Sequence, residues 1–439
     1  MVMMSSYQPQ SQELKIGVMQ PVKRSLLSLM RVQIAIVIVI QLLGIYLPLL
    51  VALPVTMLRW DSAWIPLIYE TVVWSSVAAV FGFVLMRQLT IYPGKHSVSY
   101  ILPCLLFSYS SVAFIMFLLR TDYSRYVIVA SFLTVSVWLH IEYRLREHHF
   151  LPLLAIIPNG NQRRITDIAA ARWILLENPS IQLHGVEGVV ADLSAHMGKS
   201  WERFIAKCVL AGIPVHDVKS VMESLTGRVD IEYLSENSFG SVLPSSIYLR
   251  MQRALDVVLA IILLPTFAVI IVIAALAIKL ESAGPAFFTQ PRMGFRARVF
   301  TIYKLRSMRM DVATGKDFTE ENDPRITKVG RFIRKYRIDE LPQIVNILKG
   351  EMSWIGPRPE SLRLADWYAN DIPFYIYRHA VRPGLSGWAQ VMQGNVAEVD
   401  AATVKLQFDF YYIKHFSPWL DLLIVLKTIQ TMLSGFGSR

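Results

Sequence analysis

The chain has 439 residues, which is enough for two or three domains. Hydrophobic residues make up 54% of it and charged residues only 18%, against about 25% charged in an ordinary soluble domain. This composition excludes an ordinary soluble protein and indicates a membrane protein. The formal net charge of +11 comes from the N-terminal and C-terminal parts, which favours anionic lipids or phosphorylated ligands as partners. Nucleic acid is the competing explanation of basic charge, and the long apolar segments argue against it.

Four apolar segments occupy the first third of the chain, at residues 32–53, 64–86, 99–119 and 126–140. Each is long enough, or nearly so, to cross a bilayer as a helix. Basic residues precede the first segment, lie between the second and third, and follow the fourth, whereas the other two loops mix arginine with acidic residues. The positive-inside rule therefore predicts a four-helix transmembrane bundle at residues 1–148 with both ends in the cytoplasm.

Residues 149–245 are predicted to form a small cytoplasmic α/β module, a degenerate Rossmann-like unit. Strands are expected at 151–157, 183–190 and 213–218, and helices at 166–178 and 200–211. Alternating strands and helices indicate a parallel sheet. Dinucleotide binding would need Gly-x-Gly-x-x-Gly after the first strand, but residues 158–161 are Pro-Asn-Gly-Asn. This argues against a nucleotide-sugar-modifying oxidoreductase and favours a structural or regulatory role.

The third predicted domain, residues 246–439, begins with an apolar run of about 22 residues at 257–278, long enough to cross a bilayer. Basic residues flank both ends of the run, which conflicts with a simple crossing. Pro265 lacks an N–H and clashes with the preceding turn, so it breaks or kinks a helix. A re-entrant helix at about 254–280, broken at Pro265, reconciles these features. A kinked transmembrane helix is the alternative.

Residues 324–337 place apolar side chains at helical spacing and basic side chains on another face, as in a helix lying on anionic lipid. Asp339 and Glu340 follow. Adjacent side chains on a helix diverge by about 100°, so the two carboxylates cannot face one bond as a glycosidase pair does. One as nucleophile and one as Mg²⁺ ligand is the better division of tasks. Alone, such a pair is more often a surface charge pair.

Several basic residues are candidates for contacts with phosphate groups. Pro357 and Pro359 fix the backbone on both sides of Arg358, so its guanidinium is presented with little entropy to lose. A plain turn is the competing reading. Lys304 alternates with apolar residues as on a strand edge, with Arg306 two residues later, and Arg334 lies close to the acidic pair.

The order of these motifs is more specific than any one of them. The segments are DVVLAIILLPTF, GPAFFTQPRMG, FTIYKLRSM, RIDELPQIVNILKGEMSWIGPRPE, RPGLSGWAQ and FDFYYIKHFSPWLDLLIVLKT. Together they closely resemble the polyprenyl-phosphate sugar-1-phosphate transferases of bacteria, also called monotopic phosphoglycosyl transferases or bacterial sugar transferases. The resemblance covers about residues 250–439. The layout of residues 1–249 is similar to that of the large, multidomain members of the family.

The resemblance implies that Asp339 is the nucleophile that takes sugar-1-phosphate from a nucleotide diphosphate sugar. Glu340 would help to hold Mg²⁺, and Pro265 would break the re-entrant helix. The residues implied in binding phosphate or nucleotide are Lys304, Arg306, Arg334 and Arg358. One departure lies after Trp388-Ala389-Gln390, where the family commonly has Val-Asn-Gly and this chain has Val391-Met392-Gln393-Gly394. The contacts made by this loop are left open.

We therefore expect an enzyme of the bacterial inner membrane with its catalytic domain on the cytoplasmic face. It would transfer hexose-1-phosphate from UDP-glucose or UDP-galactose to undecaprenyl phosphate, release UMP, and start an exopolysaccharide, capsule or O-antigen repeat. The alternative is a membrane-anchored scaffold or regulator with an inactive transferase domain. Retention of Asp339, Glu340 and the basic residues favours the enzyme. The oligomeric state is open, with a homodimer among the options.

Overall fold

The computed structural model describes residues 64–89, 98–149, 153–159, 165, 168, 171–179, 186–231, 244–309, 325–393 and 399–434. The first predicted apolar segment, 32–53, and Gly394 lie outside these residues. Two compact units are found. Among the described residues, one contains 141–221 and the other contains 64–140 together with 222–434.

Three long helices follow one another in the first third of the described chain, and they confirm that the second, third and fourth apolar segments are helical. They are α1 (Trp64–Leu89), α2 (Val98–Leu119) and α3 (Arg125–His149). All three are long and apolar enough to cross a membrane. Polar side chains join them: the Ser124 N–H donates to Thr71 Oγ1 at 2.9 Å, and the Tyr109 and Ser131 hydroxyls are 2.7 Å apart.

The predicted module contains a four-stranded parallel sheet in the order β2-β1-β3-β4. Its elements are β1 (Leu153–Ile156), β2 (Arg172–Leu175), β3 (Gly188–Ala191), α4 (Lys199–Leu210) and β4 (Val215–Asp217). The predicted strands and the helix at 200–211 are confirmed, as is the parallel pairing. The Rossmann-like relationship stays a prediction.

The helix predicted at 166–178 is wrong for its second half. Residues 172–175 form the edge strand β2, in which Arg172 pairs with Leu153. The alanine-rich start of this segment favours a helix locally, but Trp173 and Ile174 suit a pleated surface, and pairing with β1 decides the outcome.

The helix α5 (Val218–Thr226) is followed by α6 (Ser246–Glu281), whose 36 residues correspond to a length of about 54 Å. The Ser245 hydroxyl caps its first turn by accepting from the Tyr248 N–H. Pro265 lies inside one continuous helix, so the predicted break at this residue is not confirmed. By length and composition, α6 is the fourth helix among the described residues that could cross a membrane.

The remainder of the second unit alternates short strands and helices. They are β5 (Phe287–Met293), β6 (Val299–Leu305), α7 (Lys328–Lys335), a 3₁₀ helix (Ile338–Gln343), α8 (Ile344–Lys349), β7 (Ser353–Ile355), α9 (Leu362–Asp371), a second 3₁₀ helix (Tyr375–Ala380), β8 (Gly384–Ser386), α10 (Trp388–Met392), α11 (Val399–Lys414) and α12 (Pro418–Ser434). The strands β5 and β6 form an antiparallel hairpin, whereas β7 and β8 are parallel. The amphipathic helix predicted at 324–337 is present as the shorter α7.

The core of this unit is built on α11 and α12. Phe410, Leu420 and Ile424 are fully buried there, with Trp388 of α10 beside them. The strands β7 and β8 approach closely: a Cβ on Gly384 would lie 2.1 Å from the Gly356 nitrogen, so no other residue fits. This close approach fixes the loop that begins at Pro357.

Candidate active site

The first 3₁₀ helix carries Asp339 and Glu340. Arg337 immediately precedes it in the left-handed region, with φ of 53°. A 3₁₀ helix has three residues per turn, so neighbouring side chains diverge by about 120°. The two carboxylates therefore point in different directions, as required if they perform different tasks.

Glu340 is the centre of a buried ion cluster. Its side chain accepts two charge-assisted hydrogen bonds on one oxygen, Oε1, from Lys304 Nζ at 2.9 Å and from Arg358 Nη2 at 2.8 Å. Oε2 is buried and has no hydrogen-bond partner among the described residues. Lys304 and Arg358, which are 36 and 18 positions from Glu340, are thus brought together, and one carboxylate oxygen of Glu340 remains available.

The two carboxyl groups have opposite pKa shifts. Burial by itself raises the pKa of Glu340, but Arg358, Lys304 and Arg337 outweigh burial and hold that pKa well below its usual range. Burial and the Glu340 carboxylate raise the pKa of Asp339 to about 6, with Lys304, Arg334 and Arg358 acting against them. Glu340 is therefore a permanent anion, while Asp339 changes charge close to neutral pH.

Arg334 has a guanidinium nitrogen without a hydrogen-bond partner among the described residues. It lies in the last turn of α7, and its Nη1 is buried without a hydrogen-bond partner in the part of the chain that the structure describes. Its charge lowers the pKa of Asp339, so the guanidinium is close to that carboxyl group. A guanidinium nitrogen without a partner beside a carboxyl group is suited to an anionic ligand.

Arg306 is engaged elsewhere. Its guanidinium donates to the Ser282 carbonyl at 2.8 Å, to Ser282 Oγ at 2.9 Å and to the Ala283 carbonyl. These bonds fix the turn after α6. A substrate contact by Arg306, as the resemblance implies, would require this turn to release it.

Two arginines that the sequence analysis does not assign to the site hold the loop around Arg358. The Pro359 carbonyl accepts from Arg292 Nη1 at 3.1 Å, and the Arg358 carbonyl accepts from Arg378 Nη2 at 3.0 Å. Arg378 lies outside the motifs singled out above, and Arg292 lies within GPAFFTQPRMG but has no role assigned there. Their roles depend on contacts across 67 and 20 residues, which no local pattern reveals.

The residues present fit a magnesium ion only as a partial ligand set. Among the described residues, no group of three or more His, Cys, Asp or Glu side chains could hold a metal. The unpartnered Glu340 Oε2 is suited to coordinate a hard cation. Mg²⁺ normally takes one or two carboxylates, and water and substrate phosphates complete its shell. The open Glu340 Oε2 could supply one such carboxylate ligand.

The site thus combines two adjacent carboxyl groups with four basic side chains, a charge arrangement suited to a phosphorylated ligand. The sequence model of the family described as bacterial sugar transferase matches residues 247–435. The chain is also 46% identical over 360 residues to the UDP-N-acetylgalactosamine-undecaprenyl-phosphate N-acetylgalactosaminephosphotransferase of Aeromonas hydrophila, which covers 82% of this chain and 85% of the relative. The chain belongs to the bacterial sugar transferase family.

Two shorter matches concern the C-terminal part. The UDP-glucose:undecaprenyl-phosphate glucose-1-phosphate transferase of Caulobacter vibrioides is 43% identical over 202 residues, 44% of this chain and 74% of the relative. The exopolysaccharide production protein PSS of Rhizobium leguminosarum is 37% identical over 193 residues, 42% of this chain but 96% of the relative. Some relatives thus consist almost wholly of the region that carries the site.

Proposed function

We propose that this chain transfers sugar-1-phosphate from a UDP-sugar to undecaprenyl phosphate through a covalent intermediate on Asp339. The relatives from Aeromonas hydrophila and Caulobacter vibrioides are named as transferases of sugar phosphates to undecaprenyl phosphate, which supports the general reaction. The observation that carries the site assignment is the pairing of Asp339 with an adjacent Glu340 that has one oxygen saturated by cations and the other open.

In the first step, an Asp339 carboxylate oxygen attacks the phosphorus that carries the sugar. A bond from Asp339 to phosphorus forms, the bond from phosphorus to the bridging oxygen breaks, and its electron pair leaves with UMP. In the second step, an oxygen of undecaprenyl phosphate attacks the same phosphorus. The Asp339 carboxylate leaves unchanged, and the product is an undecaprenyl diphosphate sugar.

The cations divide this work. Lys304 and Arg358 keep Glu340 ionised and in place, and each has further N–H groups for phosphate oxygens. Arg334, with its unpartnered Nη1, would bind the phosphate that reacts with Asp339. When bound, Mg²⁺ would be held by Glu340 and would offset charge on nonbridging oxygens. Arg306 would hold the turn after α6 in place.

Contacts along α6 argue against a crossing that would carry the following domain to the other side of the membrane. Its Asp256 accepts hydrogen bonds from Ser353 Oγ at 3.0 Å and the Trp354 N–H at 3.2 Å. About 33 Å further along the helix, Ile278 packs with Leu305 and Ile333 of the same unit. Large apolar side chains on the other faces of α6 are exposed, among them Val258, Ile262, Val269 and Ile273. A helix that packs on one domain from end to end is poorly suited to carry that domain across a bilayer.

The cytoplasmic placement has separate support. Leu85, Leu89, Tyr100 and Cys104, at the facing ends of α1 and α2, share the core that contains Leu420 of α12. Arg87 and Lys95 lie at this connection in the sequence, which is the cytoplasmic side under the positive-inside rule. We therefore propose that the site faces the cytoplasm of a bacterial inner membrane, where UDP-sugars are available.

A cysteine-labelling experiment tests this topology. In a variant lacking Cys104 and Cys208, Arg296→Cys places a thiol at an exposed position after α6. A membrane-impermeant maleimide should label it only after cells are opened, and labelling of intact cells would contradict the placement. Adding Pro265→Ala to this variant should increase labelling from outside if the proline prevents α6 from spanning.

The donor is the least constrained part of the proposal. The expectation of UDP-glucose or UDP-galactose is not confirmed, because the relative from Aeromonas hydrophila is named for N-acetylgalactosamine and matches over most of this chain. We therefore propose a UDP-N-acetylhexosamine, with UDP-glucose and UDP-galactose as comparison donors.

A donor panel tests the function directly. Purified protein, Mg²⁺ and undecaprenyl phosphate are mixed with each UDP-sugar, and UMP release is measured. Release with UDP-N-acetylgalactosamine well above that with UDP-glucose is expected. If none of the UDP-sugars leads to UMP release in a preparation shown to be folded, the inactive scaffold would be favoured instead.

A further inference from the structure

Four consecutive carbonyl groups around Arg358 are each held by a donor from another part of the fold. The pairs are Pro357 O with Gly384 N at 3.0 Å, Arg358 O with Arg378 Nη2 at 3.0 Å, Pro359 O with Arg292 Nη1 at 3.1 Å, and Glu360 O with Met293 N at 3.1 Å. Because the two prolines also fix φ, the backbone that carries Arg358 has little freedom. The direction of the Arg358 side chain is therefore determined from outside the loop.

Arg378 differs from the other donors because it belongs to a buried ion cluster. It is 3% exposed, and its Nε and Nη2 donate to Asp409 Oδ2 at 3.1 and 2.8 Å. Its Nη1 donates to Tyr375 Oη at 2.8 Å and lies 3.8 Å from Glu360 Oε1. Glu360 also pairs with the buried Lys405. The cluster contains two cations and two anions, so its formal charge is balanced.

Stability alone is a weak reason for such a cluster. Removing four ions from water is costly, and well-packed apolar side chains of similar volume are often as stabilising. Burial raises the pKa of Glu360, yet Lys405 and Arg378 outweigh burial and lower that pKa to about 2, so the pair stays charged. One contact leads from this cluster toward the candidate active site: the hydrogen bond from Arg378 Nη2 to the Arg358 carbonyl.

The Arg358 guanidinium connects this loop to the candidate active site. Its Nη2 donates to Glu340 Oε1 at 2.8 Å, next to Asp339. We propose that Arg378, held by Asp409, is a positioning residue for transfer: it fixes the Arg358 carbonyl and so directs the Arg358 guanidinium at Glu340. This inference rests on the proposed role of the Asp339–Glu340 pair.

Arg378→Lys is the variant that tests it. The lysine keeps the positive charge for Asp409 but lacks the planar fork that reaches a second acceptor. We expect kcat to fall by about 10–100-fold, as for other residues that orient a functional group, with little change in KM for the UDP-sugar.

The matched control is Arg382→Lys. Arg382 is half-buried and, like Arg378, holds a backbone carbonyl, donating from Nε to the Gly350 carbonyl at 3.1 Å. It lies outside the path described above, so kcat and KM should match those of the unmodified protein. Turnover is measured as UMP release, which is readable whichever residue carries the intermediate. Failure of the Asp339 assignment would therefore be seen separately, by labelling.

A double variant distinguishes positioning from a purely structural role. If Arg378 acts through Arg358, the losses in Arg378→Lys and Arg358→Lys are non-additive when combined. Additive losses, or an unchanged kcat in folded Arg378→Lys, would overturn the proposal. If Arg378→Lys does not fold, Asp409→Asn is measured in its place, and the same fall in kcat is expected. An unchanged kcat in folded Asp409→Asn would also overturn the proposal.

Discussion

Polar side chains gather in two regions of this molecule, and the regions differ in whether those side chains are satisfied. In the α/β module, Asn159 follows β1 and binds the backbone of Asp192 after β3, donating to its carbonyl at 2.9 Å and accepting from its N–H at 3.2 Å. The Asp192 carboxylate in turn accepts from the Ser194 N–H and hydroxyl at 3.1 and 2.6 Å. In the candidate active site, by contrast, Glu340 Oε2 and Arg334 Nη1 are buried without partners among the described residues.

This difference in hydrogen bonding explains why similar polar residues stabilise loops in one region and are suited to bind a ligand in the other. The carboxyl ends of β1 and β3, where the strand order reverses, are the usual ligand crevice of a parallel sheet. Here the Asn159 side chain bridges that crevice, so the polar groups stabilise loops. Around Glu340 the fold leaves buried polar atoms unsatisfied, which is costly unless a ligand completes them. The candidate active site is therefore identified by its unsatisfied buried polar atoms and not by the α/β pattern.

The strongest test of this contrast replaces one aspartate in each region by asparagine. Asp339→Asn removes the nucleophile, so transfer and the phospho-enzyme formed from labelled UDP-sugar should both disappear. The expected loss in kcat is on the order of 10⁴-fold or more, as for other covalent nucleophiles. Asp192→Asn is the matched variant and should retain full UMP release. Full activity in Asp339→Asn would refute the nucleophile assignment.

The next largest effect is expected from Glu340→Gln, which keeps the shape but removes the charge. Lys304 and Arg358 would lose their shared anion, and the open oxygen would no longer be a good Mg²⁺ ligand. We expect a fall of about 10²-fold in kcat. The Mg²⁺ concentration for half-maximal activity should rise, which titration of UMP release against Mg²⁺ measures.

Glu351→Gln provides the control for that experiment. Glu351 accepts from Asn346 Nδ2 at 2.7 Å, in the turn after α8. Its replacement should leave the Mg²⁺ dependence unchanged. An equal shift in both variants would show that the open oxygen of Glu340 has no special role.

The raised pKa of Asp339 predicts a pH dependence with a definite sign. The nucleophile must be ionised, so kcat/KM should fall as the pH drops through about 6. Arg334→Gln removes a charge that lowers the pKa of Asp339, so this limb should move to higher pH. Arg331→Gln, at an exposed position on the same helix, should leave the limb in place.

The ionisation of Asp339 should affect stability in the direction opposite to its effect on kcat/KM. Because the folded pKa of Asp339 is raised, its ionised form costs stability at neutral pH, and the cost is relieved as the pH falls through about 6. Asp339→Asn removes the cost, so its Tm at pH 8 should exceed that of the unmodified protein. A lower Tm at pH 8 would show that the carboxylate is stabilised in the fold.

Much of the site was predictable because its residues stand in short motifs with distinctive chemistry. Lys304, Glu340 and Arg358 are each singled out by the sequence, and the structure brings them together. The helices over three apolar segments are confirmed. Predictions from local sequence patterns failed where contacts between distant residues determine the structure. β2 forms in a segment with helical propensity because β1 pairs with it, and Arg378 acquires its contacts from Asp409, 31 residues away. At Pro265 the proline rule predicts an interruption, yet the structure continues the helix through it.

The smallest expected effect comes from Asn159→Ala, which removes the bridge across the crevice of the module. Two hydrogen bonds to the Asp192 backbone are lost, so that loop should be destabilised by about 1–2 kcal/mol. Hydrogen exchange at the Asp192 amide should then be faster by about 5–30-fold, while UMP release is unchanged. Asn370→Ala, which removes an exposed bond to the Asp366 carbonyl, should alter neither. A large loss of transfer in Asn159→Ala alone would show that the module contributes to the reaction, and the contrast between the two regions would no longer hold.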